Sequence, residues 1–259
     1  VLRDIAQLTR GFVLVTGATG HGKSTTLATM IQEVNCTRKA KIVTVEDPIE
    51  FVFTHDKSII TQREVGTDTK SFPEALRAAL RQDPDVIMVG EMRDLETVDT
   101  SLKAAETGHL VFSTIHTNDV TSTVNRLLSF VPTEEQLQVR ARLAENLKAV
   151  VSLRLLVNKK ESGRVPAIEV MRTTRSIQEC IKDPARTAEL VDFMGRGRSE
   201  RMQTFDQHLF DLVRATGARV HLCRLSSAAG VALPRHPKAE GLPVTADVSI
   251  NSLHLTDVD

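Results

Sequence analysis

Along the first half of the chain, apolar and β-branched residues fall in short unbroken runs, FVLV, KIVTV, DVIMV and HLVF. Between them, apolar positions recur at helical spacing. Runs of this length read as strands covered on both faces, and their alternation with helices predicts an α/β domain with a largely parallel sheet. Strands are expected near 12–16, 41–46, 85–89 and 109–115. Helices are expected over Lys23–Val34, Ser71–Gln82 and Leu95–Thr107. The second opens on the capping box Ser71-Phe72-Pro73-Glu74 and stops before Asp83-Pro84, and the third ends at Gly108. The polar stretch 51–66 has no clear helical period, and a short hairpin is expected around Ser58–Gln62.

Beyond His116 the texture changes. Asp119–Phe130 and Thr133–Val150 read as helices, the latter with a capping box of Thr133 and Gln136, and short strands are expected near 151–157 and 165–170. From about Thr216 the helical period is lost and Pro234, Pro237 and Pro243 arrive among small and polar residues. The organisation read from this is a core over 1–130, a mainly helical region over 131–215 and an atypical, poorly ordered tail over 216–259.

Composition narrows the function classes. The 33 basic and 33 acidic side chains cancel, and Trp and Tyr are absent. Neither an electrostatic nucleic-acid surface nor a base-stacking platform is indicated, so no nucleic-acid partner is expected. Cys36, Cys180 and Cys223 form no C-x-x-C pair, which argues against a disulfide framework or a thiolate zinc site and for a reducing compartment. The apolar runs fall far short of the roughly 18 residues of a membrane span, so a soluble chain is expected. The chain opens on Val1 within an already periodic segment, and the start of a longer protein is expected to precede it.

The sharpest chemical signal follows the first strand. Gly17-Ala18-Thr19-Gly20-His21-Gly22-Lys23-Ser24-Thr25 fits G-x-x-x-x-G-K-[ST] between a strand and a helix. Glycines at 17, 20 and 22 let backbone N–H groups turn towards phosphate, and the helix adds its positive end. Gly17 and Thr19 through Thr25 are therefore the expected nucleotide-binding residues. Lys23 would reach the β and γ phosphates, and the Ser24 hydroxyl would join a Mg²⁺ shell. ATP and Mg²⁺ are the expected cofactors.

Ligands of open α/β sheets bind beyond the carboxyl ends of strands, and three more strand ends carry chemistry here. The second strand runs into Glu46-Asp47-Pro48-Ile49-Glu50, the third into Gly90-Glu91, and the fourth ends in His116 with His109 at its other end. A carboxylate beside Mg²⁺–nucleotide can orient the attacking water or hold a metal-bound one. Glu91 and Glu46 are both candidates for the catalytic carboxylate, Glu91 also for the metal. His116 is either a γ-phosphate sensor or relay between subunits, or a hydrogen-bonded structural residue; His109 is read as structural. Arg77 and Arg81 share a helix face, read as a salt-bridged surface.

These residues resemble the type II/IV secretion ATPases, and within them the type IV pilus retraction branch. GATGHGKSTT is similar to the family's Walker A motif, VTVEDPIEF to its Asp box, RQDPDVIMVGEMRD to its Walker B and AAETGHLVFSTIHTND to its His box. The match extends over about 1–215. The resemblance implies a RecA-like P-loop motor domain, a hexameric ring and ATP hydrolysis that powers pilus retraction and twitching motility. It also implies a cytoplasmic location at the inner membrane, where a pilus or secretion platform protein provides the only membrane association. The lack of a C-x-x-C pair favours retraction over the pilus-assembly or type II secretion branches. Four departures stand against the pattern. The family's N-terminal PAS-like domain and its trans arginines have no match within these 259 residues, and a nucleotide-binding assembly module without turnover is therefore the alternative expectation. His21 replaces a small residue, Gln178 stands where retraction ATPases carry an arginine, and the segment after Ala215 does not match.

Overall fold

The computed structural model describes residues 1–157, 163–216, 220–225, 241 and 244–248. Seven strands, β1 (Gly11–Thr16), β2 (Lys41–Glu46), β3 (Ile59–Glu64), β4 (Val86–Val89), β5 (Leu110–Ile115), β6 (Leu147–Val157) and β7 (Arg164–Arg172), form one sheet in the order β3-β2-β4-β5-β1-β6-β7. Every pairing is parallel except β6 with β7. Successive side chains of a strand point to opposite faces, and β1 divides accordingly. Val13 and Val15 join a core made with α1 (Leu2–Ala6) and α2 (Lys23–Thr37). Phe12 and Leu14 join the other, built with α3 (Phe72–Leu80), α4 (Leu95–Glu106), α5 (Val120–Ser129), α6 (Gln136–Asn146), α7 (Arg175–Lys182) and α8 (Leu190–Arg196). Cover on both faces is why the central strands read as unbroken apolar runs.

Two elements depart from the sequence expectation. The helix expected over Thr133–Val150 ends at Asn146, and Leu147 already pairs with Phe12 of β1. Burial of Ala149, Val150 and Val151 in the sheet outweighs the helical period. The expected Thr133 cap is not formed: a short 3₁₀ turn occupies 133–135, and the Gln136 amide donates to the carbonyls of Leu128 and Val131. The hairpin expected around Ser58–Gln62 is instead the single strand β3, parallel to β2 at the sheet edge.

The unit Val1–Gln203 holds the seven-stranded sheet, and the short strands expected near 151–157 and 165–170 within the region 131–215 are its β6 and β7. A second unit begins at Thr204 and contains α9 (Phe205–Thr216) and a parallel pair, β8 (Val220–Leu225) with β9 (Val244–Val248). Those strands fall within the expected tail, most of which lies outside the described residues.

Arg140 on α6 is buried, and its Nη1 donates to the Ile181 carbonyl at 2.9 Å and the Thr187 hydroxyl at 3.0 Å. Burial pulls its pKa below the ordinary arginine value, against the opposing charge of Asp183. Arg140→Met keeps most of the volume but strands both acceptors, a cost of about 1–3 kcal/mol. Thermal denaturation should show the midpoint falling by about 2–4 °C per kcal/mol. An unchanged midpoint would mean the two acceptors find other donors.

Candidate active site

The carboxyl ends of β1, β2, β4 and β5 meet at one cavity of about 630 Å³. The loop after β1 depends on glycine for its backbone conformation. Gly22 holds φ +90° at the N-cap of α2, and a Cβ on Gly17 would lie 2.7 Å from the Leu153 carbonyl oxygen. Ser71, Asp94, Asp119 and Thr174 cap α3, α4, α5 and α7 with side-chain oxygens, whereas α2 has no side-chain cap. Its first turn, Lys23 to Thr25, lines the cavity together with Gly22. Uncapped N–H groups at a helix start make an anion site.

Lys23 is only 8% exposed, and its ammonium donates to the carbonyls of Gly17 and Ala18 at 3.0 and 3.2 Å. Burial lowers its pKa, with Glu91 and Glu50 opposing. The same nitrogen lies 3.4 Å from His116 Nδ1, and His116 Nε2 lies 3.2 Å from Glu91 Oε1. An ammonium can only donate, so Nδ1 accepts and Nε2 donates to Glu91. The other oxygen of Glu91 takes Nε and Nη2 of Arg93 at 2.8 and 2.7 Å, and Arg93 also lies 3.6 Å from Asp47. Hydrogen bonding and charge from Glu91 hold the Arg93 pKa above its ordinary value. Glu46 is buried, with Thr44 Oγ1 at 2.6 Å and Gln62 Nε2 at 3.1 Å both on its Oε1. Ser24 donates to Glu50 Oε1 at 2.8 Å.

Of the residues singled out from the sequence, Thr19, Gly20, Gly22, Lys23, Ser24, Thr25, Glu46, Asp47, Glu50, Glu91 and His116 line this one cavity. Gly17 takes part through its carbonyl, while His21 is half-buried with Nδ1 lacking a hydrogen-bond partner among the described residues. His109 lies away from it: its Nδ1 sits 2.9 Å from the Ala104 carbonyl and 3.1 Å from the Thr107 hydroxyl, closing the end of α4. Arg77 pairs with Glu96 at 2.5 Å, as a surface ion pair. Arg93, Gln62 and Thr44 are additions. Arg93 had a signal in its spacing of two from Glu91, but Gln62 had none, because its neighbour is set by the register of β3 on β2.

The donors fit a hard cation beside phosphate: a hydroxyl and carboxylates, with no group of three His, Cys, Asp or Glu side chains among the described residues able to hold a metal alone. The family profile described as Type II/IV secretion system protein matches residues 1–236. The chain belongs to this family. Among its members, the type IV pilus retraction ATPase PilT of Pseudomonas aeruginosa is 48% identical over 213 residues, 82% of this chain and 61% of the relative. A twitching motility protein of Neisseria gonorrhoeae is 48% identical over 83% of this chain and 57% of the relative. The crystal structure of the pilus retraction motor PilT with bound ADP superposes with a TM-score of 0.77 at 48% identity, covering 83% of this chain and 60% of that one. The chain thus spans about three fifths of the length of these type II/IV secretion system relatives. No helix among its described residues is long and apolar enough to cross a membrane.

Proposed function

We propose that the chain is the nucleotide-hydrolysing motor unit of a type IV pilus retraction ATPase. The observation that carries this is the convergence of Lys23, Ser24, Glu46, Glu91 and His116 on one cavity beside an uncapped helix. Likeness at 48% to a retraction ATPase over 82% of the chain supports the branch. In this reading ATP is the substrate, and the first turn of α2 and Lys23 take its phosphates. Mg²⁺ would be held by Ser24, with Glu50 and Glu91 nearby, and would supply charge neutralisation for the phosphates.

Glu46 orients the attacking water, because its Oε2 has no donor among the described residues while both oxygens of Glu91 are engaged. Glu91 instead fixes His116, which reports on the position of Lys23. The working assembly is a hexameric ring in the cytoplasm at the inner membrane, acting on a pilus platform protein without nucleic acid.

Steady-state ATP hydrolysis with Mg²⁺ over a protein-concentration series tests this. Turnover per chain should rise cooperatively with concentration, because such rings complete their sites between subunits. Tight nucleotide binding without turnover at any concentration would replace this reading with that of a nucleotide-binding assembly module.

A further inference from the structure

We infer that Gln62 is a positioning residue for hydrolysis: it aims the Glu46 carboxylate into the cavity and ties that carboxylate to the segment beside the phosphate loop. The inference rests on the reading of Glu46 as the water-orienting group. In the parallel register of β2 and β3, Gln62 stands beside Thr44, so their side chains share a face. Both donate to the same oxygen of Glu46, Thr44 at 2.6 Å and Gln62 at 3.1 Å. A carboxylate accepts only. With Oε1 taken twice, rotation about the last side-chain bond is resisted and Oε2 is left for the cavity that Glu46 lines.

The remaining groups of Gln62 hold backbone. Its Nε2 also donates to the Phe51 carbonyl at 2.8 Å, and its Oε1 accepts from the Phe53 N–H at 2.9 Å. Two residues on, Glu64 Oε2 accepts from the Ile49 N–H at 3.0 Å. The segment fastened at 49, 51 and 53 carries Glu50, the partner of Ser24. One amide therefore sets both the direction of Glu46 and the placement of the loop that meets the helix start. No other side chain of this size offers two donors and an acceptor without charge. Glutamate would lose the donors and face Glu46 with a like charge, and methionine would keep the volume and lose every bond.

The test compares the unmutated chain with Gln62→Met, Gln62→Glu and the swap Gln62→Glu/Glu46→Gln, reading kcat, KM, the Kd of a fluorescent ADP, and Tm. Each single change should lower kcat by about 10–100-fold, the scale of a misplaced reacting group, with KM and Kd within about threefold. The swap restores a donor–acceptor pair across the two strands, so it should regain Tm and leave kcat low. A normal kcat in Gln62→Met, or losses of kcat, affinity and Tm in parallel, overturns the inference and leaves the functional reading standing if turnover still requires Lys23. Turnover that survives Lys23→Ala and Glu46→Gln overturns the reading of the site, and this inference with it.

Discussion

Lys23→Ala should abolish measurable ATP hydrolysis and weaken nucleotide binding by at least about 30-fold, from the loss of charge-assisted hydrogen bonds at about 1.5–3 kcal/mol each. The size of the effect follows from where the ammonium stands. It is buried, burial already disfavours its charge, and it is held by two loop carbonyls and a histidine ring rather than by a carboxylate. Such a cation gains more from an incoming phosphate than one already neutralised by a partner, because no ion pair must first be broken. The change also frees His116 Nδ1 of its donor. Titration calorimetry with ADP and with ATP separates the contributions: the loss should be greater for ATP, since Lys23 is expected to reach the γ phosphate. Equal, small losses for both would place the phosphates away from Lys23.

Glu46→Gln should lower kcat by about 10²–10⁴-fold, the usual contribution of a positioned proton acceptor. The amide is isosteric, so binding should change by no more than about threefold, the signature of a group used only in the transition state. Glu91→Gln is the informative companion. Its effect should be smaller on chemistry and larger on the link from Lys23 to Arg93, because Glu91 spends both oxygens on His116 and Arg93. Single-turnover hydrolysis of bound ATP in the two variants decides the roles. A Glu46→Gln chain that hydrolyses at the unmutated rate, with Glu91→Gln inert, exchanges the two assignments.

The candidate site was largely legible in the sequence because its residues are local to strand ends. Gly17, Gly20 and Gly22 are demanded by backbone conformation, Lys23 and Ser24 follow at fixed spacing, and Glu46, Glu91 and His116 mark the ends of apolar runs. The supporting residues were not legible, and the reason is pairing at long range. Gln62 matters because β3 lies in register on β2, and IITQRE at a half-exposed edge has too little alternation to announce a strand. Arg140 matters because α6 meets residues some 40 positions onward, Ile181 and Thr187. The end of α6 is hidden from the sequence for a third reason. Asn146-Leu147-Lys148-Ala149 contains no glycine or proline, and only the need of β1 for a second neighbour converts it to strand.

The bare start of α2 has a consequence for the energetics of a working cycle. In α3, α4, α5 and α7 a serine, threonine or aspartate completes the first turn permanently, and the stability of those helices is a fixed property of the sequence. If α2 takes phosphate as proposed, that completion would be lent by the substrate, and the tightness of its first turn, and of the loop hinged on Gly22, would become a function of nucleotide concentration. Each departure of product would return an unsatisfied helix end to water, and each arrival would withdraw it. In the proposed motor such a periodic gain and loss of local order, at the junction of β1 with α2, would give it something to push with.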